Sequence, residues 1–232
     1  MIKNTWYDYS SNSIIAGITT RHFPFNRGND RSEFAKLLGL NHQNLVVPKQ
    51  VHSGSVTICN NSGKIPNTDG LITNKKELVL SLQVADCIPI FIIDKKKFNL
   101  GLIHAGWRGI NLKIVENSIA KIQELDSLPN ELNIILGSSI RQCCFQVGKK
   151  VAKLFRKQFQ TVKNDDTVFL NLQEVVIEKL IFLGIPRRNI IDKNQCTCCS
   201  DDFYSYRREG KKAGRMVAMI GSKYNNNKII SK

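Results

Sequence analysis

Short apolar runs separated by polar, glycine-bearing turns set the rhythm of this chain, and helical spacing interrupts them in four places. The residues Ile-Ile-Ala-Gly-Ile open a strand in 13–20, leading to a polar turn at Arg21-His22. Apolar residues at 45–48 and 56–59 flank the polar stretch 49–54, a strand, loop, strand unit. Asn67-Thr-Asp69-Gly70 reads as a tight turn before a strand at 71–73. Further strands are predicted at 78–84, 88–93, 100–103, 133–137, 189–191 and 215–220, each a run rich in aliphatic residues. Helical spacing appears at 32–40, where Phe34, Leu37 and Leu38 share a face and Gly39 ends the run. It returns at 111–125 through Leu112, Val115, Ile119 and Ile122, at 149–160, and at 172–183 before the Gly184-Ile-Pro stop. Strands and helices intermix with no repeat, linker or composition break. The fold class is therefore α/β or α+β, with residues 1–232 forming a single domain.

Composition narrows the class. A chain of 232 residues with 42% hydrophobic and 23% charged residues can bury a large core. Its longest apolar runs, such as 88–93, are far too short to cross a bilayer, so no membrane is expected. The first residues lack the basic, apolar, small-residue order of a secretory signal, and a cytoplasmic protein is the expectation. Lys and Arg number 34 against 19 Asp and Glu, a net charge of +15. The lysines are scattered and many adjoin asparagine, as in the tail 223–228. No basic stripe interleaved with aromatics appears, so nucleic acid is not the expected partner and an anionic small substrate fits better.

The seven cysteines, an odd number without a secretory signal, argue against a disulfide framework. Cys196-Thr-Cys198-Cys199 has a metal-like look. A closed zinc site needs a second ligand pair, however, and the adjacent Cys143-Cys144 is a poor complement, so a structural role is expected for the cluster.

Candidate chemistry concentrates around two apolar strands. Cys87 stands at the start of one and His104 at the end of the other, with the turn Lys95-Lys96-Lys97 folding them side by side. Of the four histidines, His42 reads as exposed and His22 as a loop residue among arginines, whereas His52 and His104 each close a short apolar segment. Two imidazoles and a thiolate supply three ligands of the kind zinc prefers and leave a fourth position for water, whose pKa would fall to roughly 7. Asp86, in an extended strand, would point to the face opposite Cys87 and could pair with an arginine. Arg108, in a glycine-bracketed loop, could grip an anion or close a salt bridge at a turn. Tyr204-Ser-Tyr206-Arg207-Arg208 could make a phosphate or base site, or an edge strand with exposed arginines. The residues also permit a cysteine hydrolase with Cys87 as nucleophile and His104 as base, and a basic binding module.

Several blocks then follow one another in a distinctive order. They are Gln50-Val-His52-Ser, Thr68-Asp69-Gly70-Leu-Ile-Thr, Ala85-Asp86-Cys87-Ile-Pro and His104-Ala-Gly-Trp-Arg-Gly109, then Gly137-Ser-Ser-Ile with Val147-Gly148, Cys196-Thr and Ser205-Tyr-Arg-Arg208. This order resembles the YfiH family, also called the laccase-domain or multicopper polyphenol oxidase family, from about Gly17 almost to the C-terminus. The resemblance implies a layered α/β domain of packed mixed β-sheets flanked by helices. It implies a zinc site at His52, Cys87 and His104, and Asp86, adjoining Cys87, joins these three as a candidate catalytic residue.

The activities it implies are phosphorolysis of adenosine, inosine and methylthioadenosine and deamination of adenosine. The expected partners are thus a nucleoside and phosphate. Arg21, Arg108 and Arg207 are the candidate phosphate and substrate contacts. A copper-dependent phenol oxidase and a peptidoglycan-editing hydrolase are the alternatives the family also suggests. Copper suits two histidines and a cysteine, but a laccase needs several coppers and many histidines, and this chain has four. One departure stands out. Where the family carries a glycine-rich loop after Thr-Arg, this chain runs from Thr20-Arg21 straight into His22-Phe-Pro-Phe-Asn-Arg-Gly28, a shorter rim that bears on specificity.

Overall fold

Alternate apolar positions along the strands sort into two sets, and the two sets build different cores. The computed structural model describes residues 5–10, 13–24, 30–163 and 167–223. Its first half holds strands β1 (Trp6–Asp8) and β2 (Ile14–Thr19), helix α1 (Asp30–Leu37), and strands β3 (Leu45–Pro48), β4 (Val56–Ile58), β5 (Gly63–Ile65), β6 (Gly70–Thr73), β7 (Val79–Val84), β8 (Ile88–Asp94) and β9 (Asn99–Ala105). Helices α2 (Trp107–Asn111) and α3 (Ile114–Gln123) follow, then β10 (Asn133–Leu136), β11 (Gln146–Val147), α4 (Lys149–Ala152), β12 (Gln160–Lys163) and β13 (Thr167–Leu170). The chain finishes with α5 (Leu172–Phe182), β14 (Ile190–Asp192), α6 (Tyr206–Glu209) and β15 (Met216–Ser222).

One sheet has the order β1-β2-β15-β7-β3-β5, a second the order β14-β10-β8-β9-β6-β4, and a small third sheet is β11-β13-β12. Leu80, Leu82 and Ala218 of the first sheet meet Leu71, Phe91 and Leu102 of the second in the core between them. The opposite face of the second sheet, with Ile72, Ile90 and Ile103, packs on Val115, Ile119 and Ile122 of α3 and Val176 and Leu180 of α5. The outer face of the first sheet, through Val79, Val217 and Met219, packs on Phe34 and Leu38 at α1. The result is a helix, sheet, sheet, helix stack. All seven residues of β8 and of β9 are buried because both of their faces are covered, which is why these strands read as continuous apolar runs rather than alternating ones. Truncating a side chain such as Phe91, edge-on to Tyr9, would cost about 3–5 kcal/mol. Among the described residues no helix is long and apolar enough to cross a membrane.

Two predicted helices come out differently. The segment 111–125 is broken: Lys113 takes a left-handed φ of 62°, which separates α2 from α3 and leaves Leu112 exposed rather than on the apolar face. The segment 149–160 is α-helical only in α4, with a single 3-10 turn at Lys157–Phe159. Gln160 Nε2 donates to the carbonyls of Ala152 and Phe155, satisfying the broken turn, while β12 leaves to pair with β13. Val151, Phe155 and Phe159 keep helix-like spacing, yet ladder formation in the third sheet wins. Leu37 is likewise exposed on α1, and His42 is half-buried rather than exposed. The rim loop lies in part (25–29), and the basic tail almost wholly, outside the described residues.

Candidate metal centre

The site follows from how the chain changes sheets. Strands β3, β5 and β7 run parallel in the first sheet, so they end at the same edge of the sandwich. Each is followed directly by a strand of the second sheet, β4, β6 and β8. The three crossings therefore stack at one end, where β9, antiparallel to β6 and β8, also finishes. The first crossing carries His52, the second Asp69 and the third Cys87, and the end of β9 carries His104.

Asp69 organises this end. Its fully buried carboxylate accepts the backbone N–H of Val51 (3.1 Å), His52 (3.0 Å) and Ser53 (2.7 Å), the Ser53 hydroxyl (2.8 Å) and His104 Nδ1 (2.8 Å). Three successive N–H groups converge on one carboxylate only because His52 adopts a left-handed φ of 59°. That conformation is costly for a residue with a Cβ, and the hydrogen bonds offset the strain. Burial would push the Asp69 carboxyl up, but the bonds from His104, Ser53 and Val51 hold it well below the usual range. An ionised Asp69 accepts the hydrogen bond of His104 Nδ1–H, so Nε2 is the ring nitrogen turned to the pocket, able to bind a metal once its own proton is displaced. Asn117 Nδ2 further pins the crossing by donating to the Gly54 carbonyl (2.7 Å). A Cβ on Gly54 would lie 2.0 Å from the Leu112 carbonyl oxygen, so the loop rests directly on the break between α2 and α3.

His52, Cys87 and His104 present ligand atoms that all lie within 4.8 Å of one another. The two imidazole rings stand 4.8 Å apart at 69°. Burial pushes the Cys87 thiol up, yet the charge of His104 and hydrogen bonds from both imidazoles bring it down to about 6. Burial likewise disfavours a charged His104, but the neighbouring Cys87 thiolate and Asp69 raise it to about 9. The site thus favours a thiolate with a positive charge beside it, the environment a soft cation meets when it replaces that charge. Gly106 is required here, because a Cβ on it would stand 2.7 Å from Cys87 Sγ.

The trio lies in a cavity of about 820 Å³ also lined by Arg108, Tyr206, Arg207 and Arg215. A concavity of this size takes a small-molecule ligand. Arg108 is exposed, its guanidinium 5.2 Å from the centre of the Trp107 ring. Arg207 spans Phe145 and donates to the carbonyls of Cys144 (3.0 Å) and Gln146 (2.7 Å), so it anchors a loop as well as facing the cavity. Arg21 does not line the cavity: it pairs with Glu209 at 3.3 Å and lies over Tyr204.

Asp86 differs from its expected strand setting. Residues 85–87 form a bend, with Asp86 at φ 84°. Its carboxylate accepts Thr197 Oγ1 (2.6 Å), Ser205 Oγ (3.1 Å) and the Arg207 N–H (2.7 Å), so it ties distant loops to the cavity wall. The segment 204–208 is not an edge strand either; Ser205 caps the short helix α6 by accepting the Arg208 N–H. Asp69 and Arg215 escaped the reading of the residues for chemistry. Arg215 gave no local signal, whereas Asp69 stood in the turn before β6 at the middle of three similar strand, turn, strand units.

A layered α/β sandwich whose sheet crossings bring two imidazoles and a thiol to one cavity defines a domain built around a candidate metal site. The chain belongs to the multi-copper polyphenol oxidoreductase laccase family, whose model matches residues 17–223. It is 29% identical over 201 residues to a purine nucleoside phosphorylase of Corynebacterium glutamicum, covering 82% of this chain and 79% of that one. It is 28% identical over 208 residues to an adenosine deaminase from an unknown prokaryotic organism, covering 82% and 79%. The crystal structure of YlmD from Geobacillus stearothermophilus superposes with a TM-score of 0.88 at 25% identity, covering 95% of this chain and 97% of that one. That of the Bacillus licheniformis hypothetical protein YfiH gives 0.84 at 27% identity, covering 90% and 93%.

Proposed function

We propose that this protein is a zinc-dependent purine nucleoside enzyme. It would cleave adenosine, inosine and methylthioadenosine with phosphate and deaminate adenosine. The observation that carries the reading is the convergence of His52, Cys87 and His104 in a cavity of nucleoside size, with Asp69 setting the His104 tautomer. The names of the relatives supply the substrate class.

Three ligands from protein side chains, one of them a thiol already drawn toward its anionic form, fit zinc with an open position. A zinc ion held there would supply a Lewis acid able to make water nucleophilic near neutral pH. The chain's own residues do the rest. Asp69 fixes His104 and the backbone on either side of His52, so the two imidazoles keep their angle. Arg108 and Arg207, within a chain of net charge +15, would attract phosphate and hold it against the ribose. Asp86 is a positioning residue that keeps the Arg207 backbone and the loop at Thr197 against the cavity. All seven cysteines are free thiols, which suits a cytoplasmic protein.

A second reading has its own support. Cys87, His104 and Asp69 stand in the order nucleophile, base and orienting acid, the arrangement of a cysteine hydrolase. Metal analysis beside product detection decides. Stoichiometric zinc, with hypoxanthine released from inosine only when phosphate is present and inosine formed from adenosine, is expected. Activity that survives chelation but not thiol alkylation would replace this reading with the hydrolase, and stoichiometric copper with phenol oxidation would replace it with an oxidase.

A further inference from the structure

A second group of thiols lies outside the cavity. Cys143 and Cys144 occupy the turn after β10, and Cys196 and Cys199 the loop after β14. Their sulfurs lie 3.6 Å (143 to 196), 3.5 Å (143 to 199) and 3.2 Å (144 to 199) apart, and all four fall within 4.8 Å of one another. A disulfide would place two sulfurs at about 2.05 Å. Four thiolates around zinc, each about 2.3 Å from it, stand roughly 3.8 Å apart along the edges of a tetrahedron. The observed spacings are much nearer the second case.

The local chemistry agrees. Cys196-Thr-Cys-Cys199 has the two-residue gap of a zinc-chelating cysteine pair. Burial pushes the Cys196 thiol up, but the backbone N–H groups of Arg141, Cys199 and Cys198, directed at its sulfur, bring it below the usual range. Cys143 and Cys144 are instead pushed up, by burial and by the sulfurs crowded beside them. The pairing of Cys143-Cys144 with the downstream cysteines, which looked poor from spacing alone, is made by the fold. Ser139 bridges Cys196 in parallel, and Thr197 N donates to the Ser139 carbonyl.

We propose that Cys143, Cys144, Cys196 and Cys199 bind one zinc ion as a closed structural site. Binding releases the thiol protons to solvent and moves no electrons. The metal would staple the turn at 141–146 to the loop at 195–200. Those two segments carry the carbonyls that Arg207 grips and the Thr197 hydroxyl that Asp86 accepts, so the staple shapes a wall of the cavity from outside it. Cys198 is not one of the four and remains a spare thiol.

The test uses the full chain purified in reductant with zinc, and its readouts do not depend on any enzymatic activity. Wild type is expected to hold two zinc ions. The double variant His52→Ala/His104→Ala is expected to keep one, in an all-sulfur coordination sphere by X-ray absorption. Adding Cys196→Ser/Cys199→Ser removes that ion, while Cys198→Ser does not. If the cysteine variants fail to fold, alkylation mapping of wild type decides. Cys143, Cys144, Cys196 and Cys199 should be protected with zinc present and labelled after chelation. A histidine double variant that binds no zinc, thiols equally reactive before and after chelation, or disulfides among the four under reductant would each overturn the proposal.

Discussion

Two thiol-bearing clusters sit on either side of one cavity wall, and they are built in opposite ways. The His52, Cys87 and His104 group hangs from two sheet crossings and a strand end, mixes nitrogen with sulfur, and is oriented by the buried carboxylate of Asp69 on the crossing between them. The Cys143, Cys144, Cys196 and Cys199 group hangs from two surface loops, is all sulfur, and has two of its members exposed. Three ligands facing a cavity leave room for a substrate, whereas four leave none. The difference teaches that metal-capable residues alone do not define an active site. What surrounds the open position does, and here that is a cavity lined by arginines, reached from the side of the exposed His52.

The largest expected effect separates the two clusters outright. Cys87→Ala should lower the zinc content by one ion and take both inosine phosphorolysis and adenosine deamination to background, leaving the sulfur-rich site loaded. Retained turnover without that metal would break the comparison, because the first cluster would then be a catalytic thiol site in name only. Next in size is Asp69→Asn. The amide cannot accept five donors as a carboxylate does, so His104 loses its fixed tautomer and the crossing at His52 loses its anchor. A drop of about 10–100-fold in metal affinity is expected at this site alone. It is measured by competition with a chelator, with the four-sulfur site as the internal control.

How much of this was legible in the sequence depends on the range of each signal. His52 and His104 could be picked out because histidine is scarce and each closes a short apolar segment, and Cys87 because it opens the apolar run at 88–93. The six aliphatic strands predicted between 45 and 105 all form, because runs that short and that aliphatic fit little else, but β5 (Gly63–Ile65), with one aliphatic residue in three, was missed. Sheet membership was not legible. Nothing local in 45–48 or 56–59 says that one strand belongs to the first sheet and the next to the second, and that switch is what stacks the crossings. Asp69 was hidden for the same reason: Asn-Thr-Asp-Gly is a turn by every local rule, and its partners lie up to 35 residues away. The four-cysteine group depends on a contact across 53 residues that adjacent cysteines do not advertise. Helix 149–160 failed where spacing met a competing ladder, and Asp86 failed because a left-handed bend replaced the extended backbone that strand alternation assumes.

A smaller change probes packing rather than ligation. Gly106→Ala keeps every ligand but drives a methyl toward Cys87 Sγ, 2.7 Å from its ideal position. Overpacking of this kind costs about 1–3 kcal/mol. Metal affinity at the first cluster should therefore fall by roughly tenfold or more, read in the same chelator competition. An unchanged affinity would show that Cys87 has slack, and with it that the first cluster is less tightly organised than its hydrogen bonds indicate.

The smallest expected effect tests whether the arginine lining distinguishes the clusters at all. Arg108 is exposed and stacks on Trp107, so its charge acts through solvent and its contribution to anion capture is about 1 kcal/mol. Arg108→Ala should raise the KM for phosphate about fivefold at low salt while leaving kcat nearly unchanged, because the contact is equally present before and during reaction. Salt should shrink the difference between wild type and variant, since exposed charges are screened over about 10 Å at 0.1 M. If kcat falls instead and salt makes no difference, Arg108 touches the reacting group directly. The cavity side of the wall would then carry catalytic charge, and the contrast with the closed, all-sulfur side would be sharper than the ligand sets alone make it.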